Sequence, residues 1–326
     1  MHTDGECFLM KSILVTDHVF PNLQPEETIL GDIGKIVFAG AVSDEELRQL
    51  VGDADAVLNC YRALSADMIN AMEKCKIIAR YGIGVDTIPL AAAHARGIVV
   101  TNVPDYCIEE VADHALALML ALTRGIVRGV DQTRTGQWDI SALRPLHRQR
   151  GRTVGLIGFG RIAKAFAERV RSMGYNVVAH DPYVSEEVFA KAGVQSMQLE
   201  TVFECADVVS LHAPLTATSR HLVNAARLAT MKSDAIIINT SRGGLIDFEA
   251  LAGALKTGVL GAAGLDVLEI EPPTSQSTPI ADVPNLIVTP HLGFYSEQAM
   301  VELQTKAAQQ VKLALQGAQP DYPVRI

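Results

Sequence analysis

The apolar positions of this chain fall into two alternating stretches, each mixing short β-branched runs with segments of helical period. Over the first hundred residues, the runs at 13–16, 35–39, 56–58, 77–80 and 98–101 have the length and composition of strands, with helical spacing between them. Ser43 followed by Glu46 forms a capping box that opens one helix, and Ser65 opens another over 66–74. Strands separated by helices are the pattern of parallel βα units. A second alternation begins at Thr153 and runs to about Pro290. It places strands at 154–157, 177–180, 208–211, 235–239, 261–266 and 286–289, and helices over 162–172 and 247–256. This predicts a complete doubly wound unit set into the chain.

Two segments stand outside these alternations. From Glu109 to Arg124 the helical pattern is apolar almost all round, through Val111, Ala112, Ala115, Leu116, Leu118, Met119 and Leu120. A helix of that kind must be covered on every side, which predicts a place between domains or between subunits. Asn102-Val103-Pro104, just ahead of it, marks a hinge, and His114 inside it reads as a hydrogen-bonded interface histidine rather than a ligand. From Ser296 to Ala318 an amphipathic helix carries Met300, Leu303, Ala307 and Val311, cannot bury that face alone, and is expected to return to the first domain. The predicted fold class is α/β, with two doubly wound, Rossmann-like parallel-sheet domains. One is discontinuous, over 1–103 and 294–326, and the other is inserted within it, over 104–293. Residues before Met10 read as an extension.

Composition narrows the function classes. The 326 residues, 48% of them hydrophobic, suffice for two cores. A net charge of −9 with no Lys/Arg run disfavours nucleic acid as a partner. The apolar run from Ala115 to Leu122 is only eight residues, against the roughly 20 that cross a bilayer, and no signal segment opens the chain. A cytoplasmic protein without membrane contact is expected. Cys7, Cys60, Cys75, Cys107 and Cys205 are odd in number and lack CxxC spacing, so they read as reduced thiols, and no metal site is predicted.

The segment Gly158-Phe159-Gly160-Arg161-Ile162-Ala163 follows a predicted strand and opens a predicted helix, as a dinucleotide fingerprint requires. Gly158 would allow the tight turn and Gly160 would let a pyrophosphate approach the backbone. Ala163 would let helix and strand pack closely, and the helix start at Arg161 and Ile162 would offer N–H groups to the anion. Asp181, about twenty positions on, would accept hydrogen bonds from the adenosine ribose and repel a 2′-phosphate. No arginine follows it in Pro182-Tyr183-Val184, so NAD is the expected cofactor. His180 and His212 read as supports of this site.

Further motifs make the reading specific. The fingerprint, Asn239-Thr240-Ser241-Arg242-Gly243-Gly244, Gly264-Leu265-Asp266-Val267 with Glu271-Pro272, and Thr289-Pro290-His291 together resemble the D-isomer-specific 2-hydroxyacid dehydrogenases, over about 77–318. Within that family, Arg80-Tyr81-Gly82-Ile83-Gly84-Val85-Asp86, Asp181-Pro182-Tyr183 and Tyr295-Ser296-Glu297-Gln298 are similar to the branch around the C-terminal-binding proteins and phosphoglycerate dehydrogenase-like enzymes. Phe294 departs from the tryptophan of the C-terminal-binding proteins, which keeps an aromatic wall but loses its N–H donor.

The resemblance implies hydride transfer between NAD and a small D-2-hydroxy acid or 2-oxo acid. His291 would exchange the proton, Glu271 would orient its ring and favour its charged form, and Arg242 would bind the 2-oxo group and carboxylate with its planar fork. Arg80 and the backbone of Gly82, Ile83 and Gly84 would hold the carboxylate, with Phe294 as a wall. The cofactor groove would also include His212, Ala213, Pro214, Thr218, Thr240, Ser241, Arg242, Asp266 beside the nicotinamide, and His291. The 1–103 and 294–326 segments would then bind substrate and 104–293 would bind NAD, with closure of the two domains implied because Arg80 and Arg242 must reach one small anion. A homodimer is expected, with the 109–124 helix contributing. Two alternatives stay open on sequence: an NAD(H)-sensing binding protein like the C-terminal-binding corepressors, and a phosphite or formate dehydrogenase. Formate enzymes resembling the family carry an amide where Glu271 stands.

Overall fold

The computed structural model describes residues 10–274 and 278–325. They form two compact units, one of residues up to Tyr106 together with those from Ser296 onward, the other of Cys107–Tyr295. Both are α/β with wholly parallel sheets.

The first unit opens with β1 (Lys11–Val15), α1 (Gln24–Leu30), β2 (Gly34–Phe38), α2 (Asp44–Gly52), β3 (Ala56–Asn59), α3 (Ala66–Ala71), β4 (Ile77–Arg80), α4 (Leu90–Ala95) and β5 (Val99–Thr101). Its sheet has the order β2-β1-β3-β4-β5, so the chain reverses direction between β1 and β3. Ile13, Val15, Val57, Leu58, Ile77 and Ile78 are fully buried, as parallel strands covered on both faces must be. The capping box forms: Ser43 Oγ accepts from the Glu46 N–H at 3.3 Å, and the Glu46 carboxylate accepts from the Ser43 N–H at 2.9 Å. The helix opened by Ser65 stops at Ala71 rather than reaching position 74. Met72 turns out of helical geometry at ψ 91°, buries its side chain, and its carbonyl accepts from the Arg96 guanidinium at 2.8 Å.

The second unit runs through α5 (Ile108–Thr123), α6 (Ile126–Arg134), β6 (Thr153–Ile157), α7 (Arg161–Ser172), β7 (Asn176–His180), α8 (Glu186–Ala192), β8 (Gln195–Ser196), α9 (Leu199–Cys205), β9 (Val208–Leu211), α10 (Ala225–Thr230), β10 (Ile236–Asn239), α11 (Phe248–Thr257), β11 (Ala262–Leu265) and β12 (Leu286–Val288). Seven strands lie in the order β12-β11-β10-β9-β6-β7-β8, with the reversal between β6 and β9. On one face of this unit, α5 packs with α7 and buries Ala112, Ala115, Leu118 and Met119 with Val154, Leu156 and Phe166. Its Leu116 and Leu120 are only half-buried and Ala117 is exposed, so a single chain covers this apolar helix incompletely.

Crossing back to the first unit, α12 (Glu297–Leu315) starts at Ser296, whose Oγ accepts from the Ala299 N–H at 3.0 Å. It packs on α1, β3 and β4 through Met300, Leu303, Ala307 and Val311. A buried polar knot fixes it there. Gln304 Nε2 donates to one oxygen of Glu26 at 2.9 Å, and the Tyr81 hydroxyl donates to the other at 2.7 Å. Burial pushes the Glu26 carboxyl up, and these hydrogen bonds offset only part of that rise.

Candidate active site

In open parallel sheets ligands sit outside the carboxyl ends of the strands at the reversal point. In the second unit that point is the β6–α7 loop. Gly158 has φ +88°, and a Cβ there would lie 2.7 Å from the His212 carbonyl, so only glycine fits. At Gly160 a Cβ would meet nothing within 4 Å, which leaves open space above the first turn of α7, and no side chain caps that turn. Arg161 and Ile162 begin the helix, and Ala163 is fully buried against the sheet. Asp181 closes the loop from the side: its carboxylate accepts from the Phe159 N–H at 2.8 Å and the Tyr183 N–H at 2.9 Å. Beneath Gly158, His212 shares a 2.9 Å hydrogen bond with Ser210 Oγ and leans on Phe166. Burial pushes its pKa down to about 4, so it is neutral at physiological pH. Ala213 is half-buried, while Pro214 and Thr218 lie exposed on the same β9 loop.

The next three strands deliver the other residues. After β10, Thr240 Oγ1 is buried without a hydrogen-bond partner among the described residues, Ser241 Oγ donates to the Leu211 carbonyl at 2.7 Å, and Arg242 donates to the Ser241 carbonyl at 2.7 Å. Gly243 allows this loop to touch the one after β11, because a Cβ there would sit 1.9 Å from the Leu268 backbone. Within that second loop the Leu268 N–H donates to Glu271 Oε1 at 2.7 Å, which aims Oε2 at His291 Nδ1, 2.6 Å away. His291 follows β12 with φ +52°, a left-handed backbone unusual for a residue with a Cβ. Phe294 stands edge-on to its ring at 5.9 Å. The structure thus brings Glu271, His291 and Phe294 together and sets Arg242 on the neighbouring strand end.

Asp266 lies deeper than a groove-lining residue, at 2% exposure. Its carboxylate accepts from the N–H groups of Leu292 at 3.0 Å and Gly293 at 2.8 Å and from the Thr289 hydroxyl at 2.6 Å, and His114 Nε2 lies 3.3 Å away. Burial alone would raise this carboxyl. The bonds from His114, Thr289 and the two backbone N–H groups outweigh that and hold it below the usual range. Thr289 belongs to the Thr289-Pro290-His291 motif and His114 to the apolar 109–124 segment, and nothing in the sequence brings the two together.

In the first unit the corresponding strand ends hold Arg80 and the 82–84 loop. Arg80 is 9% exposed, its Nε is buried with no hydrogen-bond partner among the described residues, and its guanidinium lies 5.7 Å from the centre of the Tyr61 ring. Gly82 has φ +140°, and a Cβ there would fall 2.5 Å from an Arg80 guanidinium nitrogen. Asn102 Nδ2 donates to the Ile83 carbonyl at 2.7 Å and the Val103 N–H donates to the Gly82 carbonyl at 3.0 Å, which ties down the loop just ahead of Gly84. Asp17 also contributes: its carboxylate accepts from the N–H groups of Cys60, Tyr61 and Arg62 at 2.7–3.1 Å and holds Tyr61 in place.

A family model described as the D-isomer specific 2-hydroxyacid dehydrogenase, NAD binding domain, matches residues 116–293. The chain belongs to this dehydrogenase family. A D-3-phosphoglycerate dehydrogenase of Methanocaldococcus jannaschii is 38% identical over 310 residues, covering 94% of this chain and 58% of that protein. The chain therefore spans little more than half the length of that relative. A hydroxypyruvate reductase of Thermotoga maritima is 39% identical over 257 residues, 78% of this chain and 83% of the relative. The crystal structure of the TT0316 protein from Thermus thermophilus superposes with a TM-score of 0.86 at 34% identity, over 96% of this chain and all of that one.

NAD, the cofactor of the family's domain, fits what the second unit offers. Gly160 leaves room for a pyrophosphate, no side chain among the described residues caps the N-terminus of α7, and the buried Thr240 hydroxyl has no partner among them. Among the described residues no cluster of three or more metal-ligating side chains occurs, and no helix is long and apolar enough to cross a membrane.

Proposed function

We propose that this chain is an NAD-dependent dehydrogenase that interconverts small D-2-hydroxy acids and 2-oxo acids. The observation that carries this reading is the Glu271–His291 pair at 2.6 Å, on the strand ends beside Arg242. Bound NAD supplies the group that gives or takes the hydride at the substrate's C2. Glu271 accepts the Nδ1 proton of His291, which fixes the tautomer and leaves Nε2 as the nitrogen that exchanges a proton with the substrate oxygen. Arg242 presents a planar pair of donors to the 2-oxo group and carboxylate, geometry that a lysine would not reproduce. Arg80 and the backbone of Gly82, Ile83 and Gly84 bind the carboxylate, and Phe294 forms an apolar wall. The groove for NAD comprises Gly158, Gly160, Arg161, Ile162, Asp181, His212, Ala213, Pro214, Thr218, Thr240 and Ser241. The first unit with α12 serves as the substrate domain.

A cytoplasmic setting belongs to the same proposal: Cys60, Cys75 and Cys107 are buried and pack as small apolar side chains. A homodimer is supported by the incompletely covered α5 and by the exposed Ile126, Val127, Val130, Trp138 and Ile140 that follow it.

Loss of NADH absorbance with a panel of 2-oxo acids, and its gain with hydroxy acids including D-3-phosphoglycerate, tests the activity. His291→Ala should lower turnover by roughly 10² to 10⁴ while NADH affinity, measured by fluorescence titration, stays near that of the parent. No turnover with any acid would overturn the reading, and an active His291→Ala variant would remove the proton role.

A further inference from the structure

We propose that His114 is a positioning residue for His291, acting through Thr289 and Asp266. This assignment rests on the proton role given to His291 above and extends the site to α5, which packs on β10 and β11. A left-handed residue bearing a Cβ costs about 1–2 kcal/mol and persists only where its surroundings fix it. At His291 the surroundings converge on Asp266. The His291 N–H donates to the Asp266 carbonyl at 2.8 Å, and the next two N–H groups, of Leu292 and Gly293, donate to its carboxylate. Asp266 is thus the template on which the turn is wound, and the rotamer of its side chain decides where the imidazole points.

That rotamer is held from behind. Thr289 gives its one hydroxyl hydrogen to Asp266 Oδ1 at 2.6 Å, so its oxygen is left to accept, and the donor 2.9 Å away is His114 Nε2. His114 therefore carries its proton on Nε2, shared between Thr289 and the Asp266 oxygen at 3.3 Å. The ring also walls the turn: a Cβ on Gly293 would lie 3.2 Å from His114 Cδ2 and 2.8 Å from Asp266 Oδ2. With an apolar residue at 114, Thr289 Oγ loses a donor and the buried carboxylate loses one of its four polar neighbours, which frees Asp266 to rotate and the turn to relax. A glutamine at 114 places an N–H donor at a comparable reach.

The test compares His114→Leu and His114→Gln with the parent by steady-state kinetics and by NMR of histidine-15N-labelled protein, following the downfield proton shared by His291 Nδ1 and Glu271. In His114→Leu, kcat should fall about 10- to 100-fold with KM for NADH nearly unchanged, and the downfield resonance should shift or vanish. His114→Gln should keep both within about two-fold of the parent, the reach of a preserved hydrogen bond. Should the leucine variant fail to fold, Thr289→Val breaks the same link and is read in the same way. A leucine variant with parental kcat and resonance, a glutamine variant as impaired as the leucine one, or a defect confined to NADH binding would overturn the assignment. If the parent turns over no 2-oxo acid, the activity reading fails alone, because the resonance still reports whether position 114 fixes His291.

Discussion

Asp181 engages the N–H groups of Phe159 and Tyr183, and each carboxylate oxygen keeps a lone pair for a ribose hydroxyl. A 2′-phosphate brought to the same place would face its negative charge. Asp181→Ser should therefore raise the NADP-to-NAD ratio of kcat/KM by at least about tenfold, while activity with NAD falls because Phe159 loses its clamp. Steady-state kinetics with both cofactors checks this, and an unchanged ratio would move the ribose contact elsewhere. The tight turn at Gly158, the open approach at Gly160 and the place of Asp181 beside them were legible because they follow from spacing along one strand, turn and helix. Glu271 and His291 were legible only through resemblance, since a carboxylate before a proline and a histidine after one are common. Asp266 shows the limit. Its position was readable, but that both its oxygens hold the His291 turn depends on Thr289 and His114, partners that only folding brings near.

At the end of β9, His212 couples this site to stability. Its imidazole is packed beneath the Gly158 turn against Phe166, and burial lowers its pKa from 6.5 to about 4. Between those two values the unfolded chain binds a proton that the folded one does not, so stability should fall as pH drops from about 6.5 to about 4. The loss is on the order of 2–3 kcal/mol. Urea unfolding at a series of pH values should show this slope in the parent and its absence in His212→Asn; equal slopes would place the titration on another group. Strands and long helices were readable because period-two or period-3.6 patterns need several residues to show. The helices α8, α9 and α10, of 7, 7 and 6 residues, and the two-residue β8 are too short to display a period, and α6 buries none of its residues. The start of α1 was hidden differently, by Pro25, which breaks a helix interior but is at home in a first turn.

At the scale of the whole molecule, the apolar side chains after α5 call for cover. Trp138 is 92% exposed and Ile140 74%, within a stretch that also exposes Ile126, Val127 and Val130. Replacing both Trp138 and Ile140 by serine should convert a dimer to a monomer in sedimentation velocity, and a parent that already sediments as a monomer would end the dimer assignment. The amphipathic pattern of α12 announced that it needed a partner, and the partner turned out to be α1, β3 and β4, strands and a helix made from the other end of the chain. That arrangement sets an order of events at the ribosome. The five strands of the first sheet emerge early, but the helix that covers one side of them is translated only after the entire inserted unit. The inserted unit has every one of its own elements in hand before its neighbour does, so it is equipped to fold first, while β3 and β4 lack the helix that covers them until α12 is made.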